Sequence, residues 1–317
     1  MPVPRTPESS CRLCVAAADE VAAFRAEEEP VTQTRDGGLP ARRGEHLCRT
    51  YTDHRDWAQQ VSCLVREGLA RGQRVLYYAD THTPQEVADR LRAEVTDGGA
   101  AMERGQLSVE SVTGFYLRTL PFNPDPMIAD LRDSCRQALS RGWTGLCVIG
   151  EMDWSTRQVP GADRLLEYEL RLDNEVFEDL PVTGICLYSQ HAATHPSTAL
   201  AATAHLDRAG APQATSALTA LPLRPGGGMR LIGSADLDSM TALVAVLAAA
   251  TRMPAPVVDL DLRDVDFVDT AAAAVLANTA AVLVGQDRRL VLHHAPPSLH
   301  RVAEMFPDEC RDLEMTA

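Results

Sequence analysis

The sequence predicts an α/β protein with two sheets: an N-terminal, mostly parallel sheet with helices on both faces, and a smaller C-terminal α/β domain. Three observations carry this. Strand-like apolar runs and amphipathic helix-like runs alternate through residues 41–206, the order that gives a parallel sheet between helix layers. Residues 207–217 turn to Ala, Gly, Pro, Gln, Thr and Ser, a composition that bridges folded units. Beyond that bridge, VVDLDLRDVDFVDTAAAAVL, residues 257–276, passes from a period of two into a run of small helix formers. At 317 residues the chain is long enough for two domains, each with its own core.

In the first domain, strands are expected at 47–51, 74–79, 145–150 and 182–188, and helices at 57–71, 84–94, 126–141 and 163–177. Gly72 and Gly142 mark the helix-to-strand turns. Residues 1–40 read as a charged, turn-rich tail with a helical pattern over 10–28. The second domain, 218–311, is expected to open with a hairpin of 218–223 and 229–233 across a Gly-rich turn. A helix over 239–252, the strand and helix of 257–276, a strand at 289–293 and a helix at 297–306 follow, with a short tail over 312–317.

Composition excludes several functions. The formal net charge of -14 opposes broad binding to nucleic acid or anionic lipid and favours a protein partner. No apolar run is long enough to cross a bilayer and no signal-peptide pattern opens the chain, so a cytoplasmic protein is expected. The eight cysteines are scattered, several inside apolar strands, as reduced core residues are. All 30 basic residues are Arg. Without Lys there is neither a phosphate-loop amine nor a Schiff base, so those two chemistries are closed to the chain.

In the second domain Asp269 and Thr270 stand where the strand becomes a helix, at the N-cap, where a side-chain oxygen satisfies a free backbone N–H and negative charge is tolerated. In the first domain His46 and Cys48 lie two apart on one strand and so face the same side. They can meet one ligand, or be a hydrogen-bonded strand end and a packed thiol. Glu151 and Asp153 follow an apolar strand at its carboxyl end, where ligands bind in open α/β sheets, and their other use is to fix the Trp154 loop. Trp154 reads as packing. His191, His195 and His205 match no metal spacing and read as a solvated face. Cys11 and Cys14 have the spacing of two zinc ligands, with His46 and Cys48 as the other pair, but a charged, turn-rich stretch separates them; no metal and no cofactor is called for.

The last hundred residues or so resemble the STAS domain of anti-sigma factor antagonists, on Asp269-Thr270-Ala271-Ala272, on Gly233-Ser234-Ala235-Asp236 with its following helix, and on the order of strands. That family carries a phosphorylated Ser in an Asp-Ser-Ser-Gly turn. The resemblance therefore implies phosphorylation at Thr270, the alternative being a plain helix cap, and partner binding through Asp236, Asp269 and Thr270. Gly44-Glu45-His46-Leu47-Cys48, Gly150-Glu151-Met152-Asp153-Trp154, Tyr168-Glu169 and Gly184-Ile185-Cys186-Leu187-Tyr188 resemble the MEDS sensory domain. This implies a RecA-like core without its phosphate loop and a sensing role for His46 and Cys48, with Glu151 and Asp153, by their place at the strand end, as further ligand-sensing residues. Together the two resemblances imply a signalling regulator rather than an enzyme, an antagonist whose partner is an anti-sigma factor serine/threonine kinase. The alternative is a sensory or scaffold subunit in an assembly of STAS proteins.

Overall fold

The computed structural model describes residues 44–195, 198–205, 207–209, 218–223 and 228–316. Cys11, Cys14, the rest of the tail over 1–40 and residues 210–217 lie outside these. The first domain runs β1 (Glu45–Tyr51), α1 (His54–Ala70), β2 (Arg74–Ala79), α2 (Pro84–Glu94), α3 (Gly98–Glu103), β3 (Leu107–Ser111), α4 (Pro124–Ser140), β4 (Leu146–Glu151), α5 (Leu165–Leu172), β5 (Val182–Ser189), α6 (Gln190–Thr194), α7 (Ala199–Thr203) and β6 (Asp207–Ala209). Its sheet has the order β3-β2-β4-β5-β1-β6 with every pair parallel. Helices pack on both faces, so β4 is buried at all six positions and β5 at seven of its eight, as their unbroken apolar runs require.

Local chemistry sets the helix starts. Asp53 caps α1, accepting from the N–H of Arg55 and Asp56 at 2.8 and 2.9 Å. Thr83 and Glu86 form a reciprocal capping box on α2, with Pro84 at its first position. Gly72 and Gly142 take positive φ at the helix-to-strand turns. Three features depart from the sequence reading. α3, opening on Gly98 and Gly99 after Asp97, and β3 form where no element was expected. The expected helix over 163–177 is α-helical only in α5, then continues as a π-helical turn, Asp173–Phe177. β6 and, in the second domain, β11 (Glu314–Thr316) lie where a linker and a tail were expected, because each finds an open parallel edge to pair with.

The second domain comprises β7 (Leu218–Leu223), β8 (Gly228–Ala235), α8 (Met240–Arg252), β9 (Val257–Val268), α9 (Thr270–Val284), β10 (Arg289–His293), α10 (Pro297–Met305) and β11 (Glu314–Thr316). The sheet order is β11-β10-β9-β8-β7, parallel except for the β7–β8 hairpin. Small buried residues of α9 (Ala272, Ala273, Ala277 and Ala280) let it lie close to the sheet beside α8.

α5 is shared by the two halves, and all eight of its residues are buried. Leu165, Tyr168 and Leu172 belong to the first domain's core. Leu166 and Leu170 join the core of the second domain, with Leu243, Val246, Leu247 and Ala250 of α8. Arg252, ending α8, reaches Asp163 at 3.3 Å just before α5. Replacing Leu170 by Ala leaves a cavity against α8 and is expected to cost about 2–5 kcal/mol. A lower urea midpoint with an unchanged m-value checks this.

Candidate functional site

The two faces of the first sheet hold separate polar clusters. On one, His46 and Cys48 project into the core layer that contains Cys186, with which Cys48 is in register across β1 and β5. His46 is only 2% exposed. Its Nδ1 donates to Asp173 Oδ2 at 3.0 Å, and its ring stacks on Phe177 with centroids 4.6 Å apart; both partners come from the π-helical turn. A Cβ on Gly184 would fall 2.4 Å from the Phe177 ring, so glycine there lets the ring seat on His46. The Nε2 edge of His46 faces Glu169 Oε2 at 3.3 Å and Cys186 Sγ at 3.6 Å. Cys186 Sγ is 3.4 Å from the same carboxylate oxygen, and His205 Nε2 is 3.5 Å from it. The other oxygen of Glu169 accepts from Tyr188 Oη at 3.1 Å. His205, expected on a solvated face, is fully buried because the turn after α7 folds back onto Glu169.

On the opposite face, Glu151 ends β4 in an apolar layer with Trp57 and Tyr77. Tyr77 Oη donates to it at 2.6 Å, Trp57 Nε1 at 3.0 Å, and the N–H groups of Asp80 and Thr81 at 2.7 Å each, while His82 Nδ1 lies 3.3 Å away. Burial pushes this carboxyl up, but those hydrogen bonds outweigh it and hold it below the ordinary glutamate value. Tyr77 is pushed well above its ordinary range by burial and by Glu151, so it remains a donor. Asp153 accepts from the Ser189 N–H at 2.9 Å and from its hydroxyl, tying the Trp154 loop to the end of β5. Trp154 is fully buried, stacked on Tyr116. The sheet thus separates His46 and Cys48 from Glu151, and the strand-end loop holds Asp153.

The loop after β1 lacks the glycines that cradle a phosphate. Its Asp53 carboxylate occupies the α1 N-terminus, the position where a helix-bound anion would sit.

In the second domain Asp269 caps α9, its side chain accepting from the Ala272 N–H at 2.7 Å. Thr270 is the first helical residue and is exposed, its hydroxyl outside the cap. Ala235 pairs with Val268, and the Asp269 N–H donates to Ala235 at 3.0 Å, so the Asp236 loop and the Thr270 turn leave the sheet side by side. Asp236 accepts from the N–H groups of Asp238 and Ser239, shaping its loop. Two large apolar side chains flank this pair in solvent, Leu237 at 79% and Phe267 at 49% exposed. Asp264 and Asp266 are exposed beside them.

The model of the MEDS family, described as the methanogen/methylotroph, DcmR sensory domain, matches residues 45–206. The chain belongs to the MEDS family. A second model, described as a MlaB-type STAS domain, matches residues 223–307, so this MEDS protein carries a STAS domain after its sensory domain. It is 24% identical over 156 residues to the transcriptional repressor DcmR of Methylorubrum extorquens, covering 49% of this chain and 56% of the repressor. Two solved structures resemble about a third of the chain. One is an anti-sigma factor antagonist from Mycobacterium paratuberculosis, 20% identical, TM-score 0.29, covering 32% of this chain and 87% of that one. The other is the antagonist SpoIIAA in its unphosphorylated form, 12% identical, TM-score 0.26, covering 32% and 89%. Among the described residues, no helix is long and apolar enough to cross a membrane.

Because the Glu151 carboxyl is held below its ordinary value of 4.5, its contribution is fully present above that pH and is lost as pH falls through the folded-state value. The unfolding midpoint of the wild type should therefore drop more steeply below pH 4.5 than that of Glu151→Gln, as measured by chemical denaturation across pH.

Proposed function

We propose that the STAS domain is an anti-sigma factor antagonist, binding an anti-sigma factor with serine/threonine kinase activity, and that the MEDS domain controls it. The pairing of Ala235 with Val268 carries this reading, since it brings the Asp236 loop, Asp269 and Thr270 together beside exposed Leu237 and Phe267. An apolar patch with an acidic rim suits a protein partner better than a small substrate. Thr270 is the residue phosphorylated: its hydroxyl is exposed, and a phosphate at the first helical position meets the favourable end of the dipole. The same phosphate adds nearly two negative charges beside Asp266 and Asp269, which ends docking.

The protein is not an enzyme in this reading. The Cys186–His46 pair is sealed in the core, and the α1 N-terminus is filled by Asp53. Sensing is assigned to the layer of His46 and Cys48, and Glu151 and Asp153 hold the strand-end loops. Control passes along α5, because Glu169 faces His46 while its neighbour Leu170 packs on α8, the helix that follows the Asp236 loop.

Thr270→Asp tests the output. Aspartate is favourable at this position, so the unfolding midpoint should stay within about 1 kcal/mol of wild type, while partner affinity falls at least about 100-fold. Partners captured by the wild type and by Thr270→Asp, identified by mass spectrometry and then rebuilt from purified components with ATP, supply the readout. Phosphate located on Thr270 and loss of capture by Thr270→Asp support the antagonist. Equal capture of other STAS proteins by both baits means a scaffold.

A further inference from the structure

Four side chains from four elements converge on one point in the core of the first domain: His46 of β1, Glu169 of α5, Cys186 of β5, and His205 after α7. Their donor atoms all lie within 4.8 Å of one another, and every one of these residues is buried. We propose that they form a closed, tetrahedral metal site, with Zn2+ the ion that fits best. The proposal stands whether or not the STAS domain has a kinase partner.

The spacing is that of a coordination polyhedron. A tetrahedral centre with bonds of about 2.0 Å to N and O and about 2.3 Å to S has edges of about 3.3 Å between N and O, and about 3.5 Å between S and either. Four of the six edges match: 3.3 and 3.5 Å from the two imidazoles to Glu169 Oε2, 3.4 Å from Cys186 Sγ to that oxygen, and 3.6 Å from Cys186 Sγ to His46 Nε2; the two from His205 to His46 and Cys186 lie within 4.8 Å, close enough for a small shift of the His205 ring to complete the shell.

The hydrogen bonding behind these atoms is that of a metal centre too. A carboxylate only accepts, so the 3.0 Å contact to Asp173 fixes the proton of His46 on Nδ1. In the neutral ring, Nε2 then presents a lone pair to a carboxylate oxygen 3.3 Å away, a pair of acceptors that needs a positive centre between them. A carboxylate behind a ligating histidine is the usual outer partner of a zinc-bound imidazole. Tyr188, donating to the far oxygen of Glu169, turns the near oxygen into the cluster in the same way. Two imidazoles, one thiolate and one carboxylate form a borderline-soft donor set suited to Zn2+ rather than to Mg2+ or Ca2+. On binding, the ion takes the place of the thiol proton of Cys186, which leaves to solvent.

Four protein ligands leave no open position, so the ion has no hydrolytic role. It ties β1 and β5 to α5 and to the segment that leads out of the domain. A polar cluster in the middle of the sheet thereby becomes the anchor of the helix shared with the STAS domain.

The test uses tag-free, full-length protein, stripped with a chelator and loaded with Co2+, which reports tetrahedral geometry in its visible bands and thiolate ligation in a near-ultraviolet charge-transfer band. The expected result is one tightly held ion per chain with both signatures. The charge-transfer band should be lost in Cys186→Ser and kept when Cys11 and Cys14 are both changed to Ser. Asp173→Asn should weaken Zn2+ binding about 10- to 100-fold while leaving the bands in place. Should Cys186→Ser fail to fold, X-ray absorption of the wild type with Zn2+ decides instead, with one sulfur and three N or O neighbours expected. No ion retained after gel filtration, a thiolate band that persists in Cys186→Ser, or a shell of two or more sulfurs would overturn the site.

Discussion

The burial of α5 on every side is the constraint on which the rest depends. A helix with no solvent face is ordinarily apolar throughout, yet α5 carries Glu167, Glu169 and Arg171 in a run of eight buried residues. Each charge must therefore be matched inside the protein. Arg171 answers Glu167, Glu175 and Asp125, and Arg164 answers Glu167 from the preceding turn. Glu169 is left facing His46, Cys186 and His205. Since Leu166 and Leu170 fill the second domain's core, the same eight residues position a polar centre in one domain and a hydrophobic contact in the other. Packed interiors transmit strain, and the control proposed for the MEDS domain would pass by this route.

The first sheet also commits the groups at which an open α/β sheet would take a phosphate. The features that would hold a nucleotide are replaced piece by piece: the α1 N-terminus is filled by Asp53, no Lys exists in the chain, and the carboxylate at the end of β4 is committed to Tyr77, Trp57 and two backbone N–H groups. A second polar cluster lies on the other side of the sheet, in the layer between the strands and α5. There it is shielded from water and lies one residue from the contact with α8.

Much of the fold was legible in the sequence, because β2, β4, β5 and β9 are long, regular patterns and the glycines at 72 and 142 punctuate them. α3 was hidden by the two glycines that open it, and β6 and β11 are too short to carry a period. The cluster was legible only in part. His46 and Cys48 follow from alternation on one strand, but Cys186 reads as one more apolar strand residue, Glu169 as part of an amphipathic helix, and His205 as a polar loop residue. Their meeting depends on tertiary packing, on the return of the chain after α7, and on the π-helical turn that delivers Asp173. A hint was present in the acidic and histidine positions that fall inside apolar runs. At the STAS turn, Asp269 and Thr270 were correctly placed at the helix start, but only the structure divides their roles, giving the cap to Asp269 and leaving Thr270 in solvent.

Amide hydrogen exchange on the full-length protein, comparing wild type with Glu169→Gln, tests the central claim that the sensory core and the STAS surface are mechanically joined through α5. The account predicts faster exchange in α8 and the Asp236 loop, residues 236–252, as well as in the first domain. Faster exchange confined to residues 44–205, with 236–252 unchanged, would contradict it.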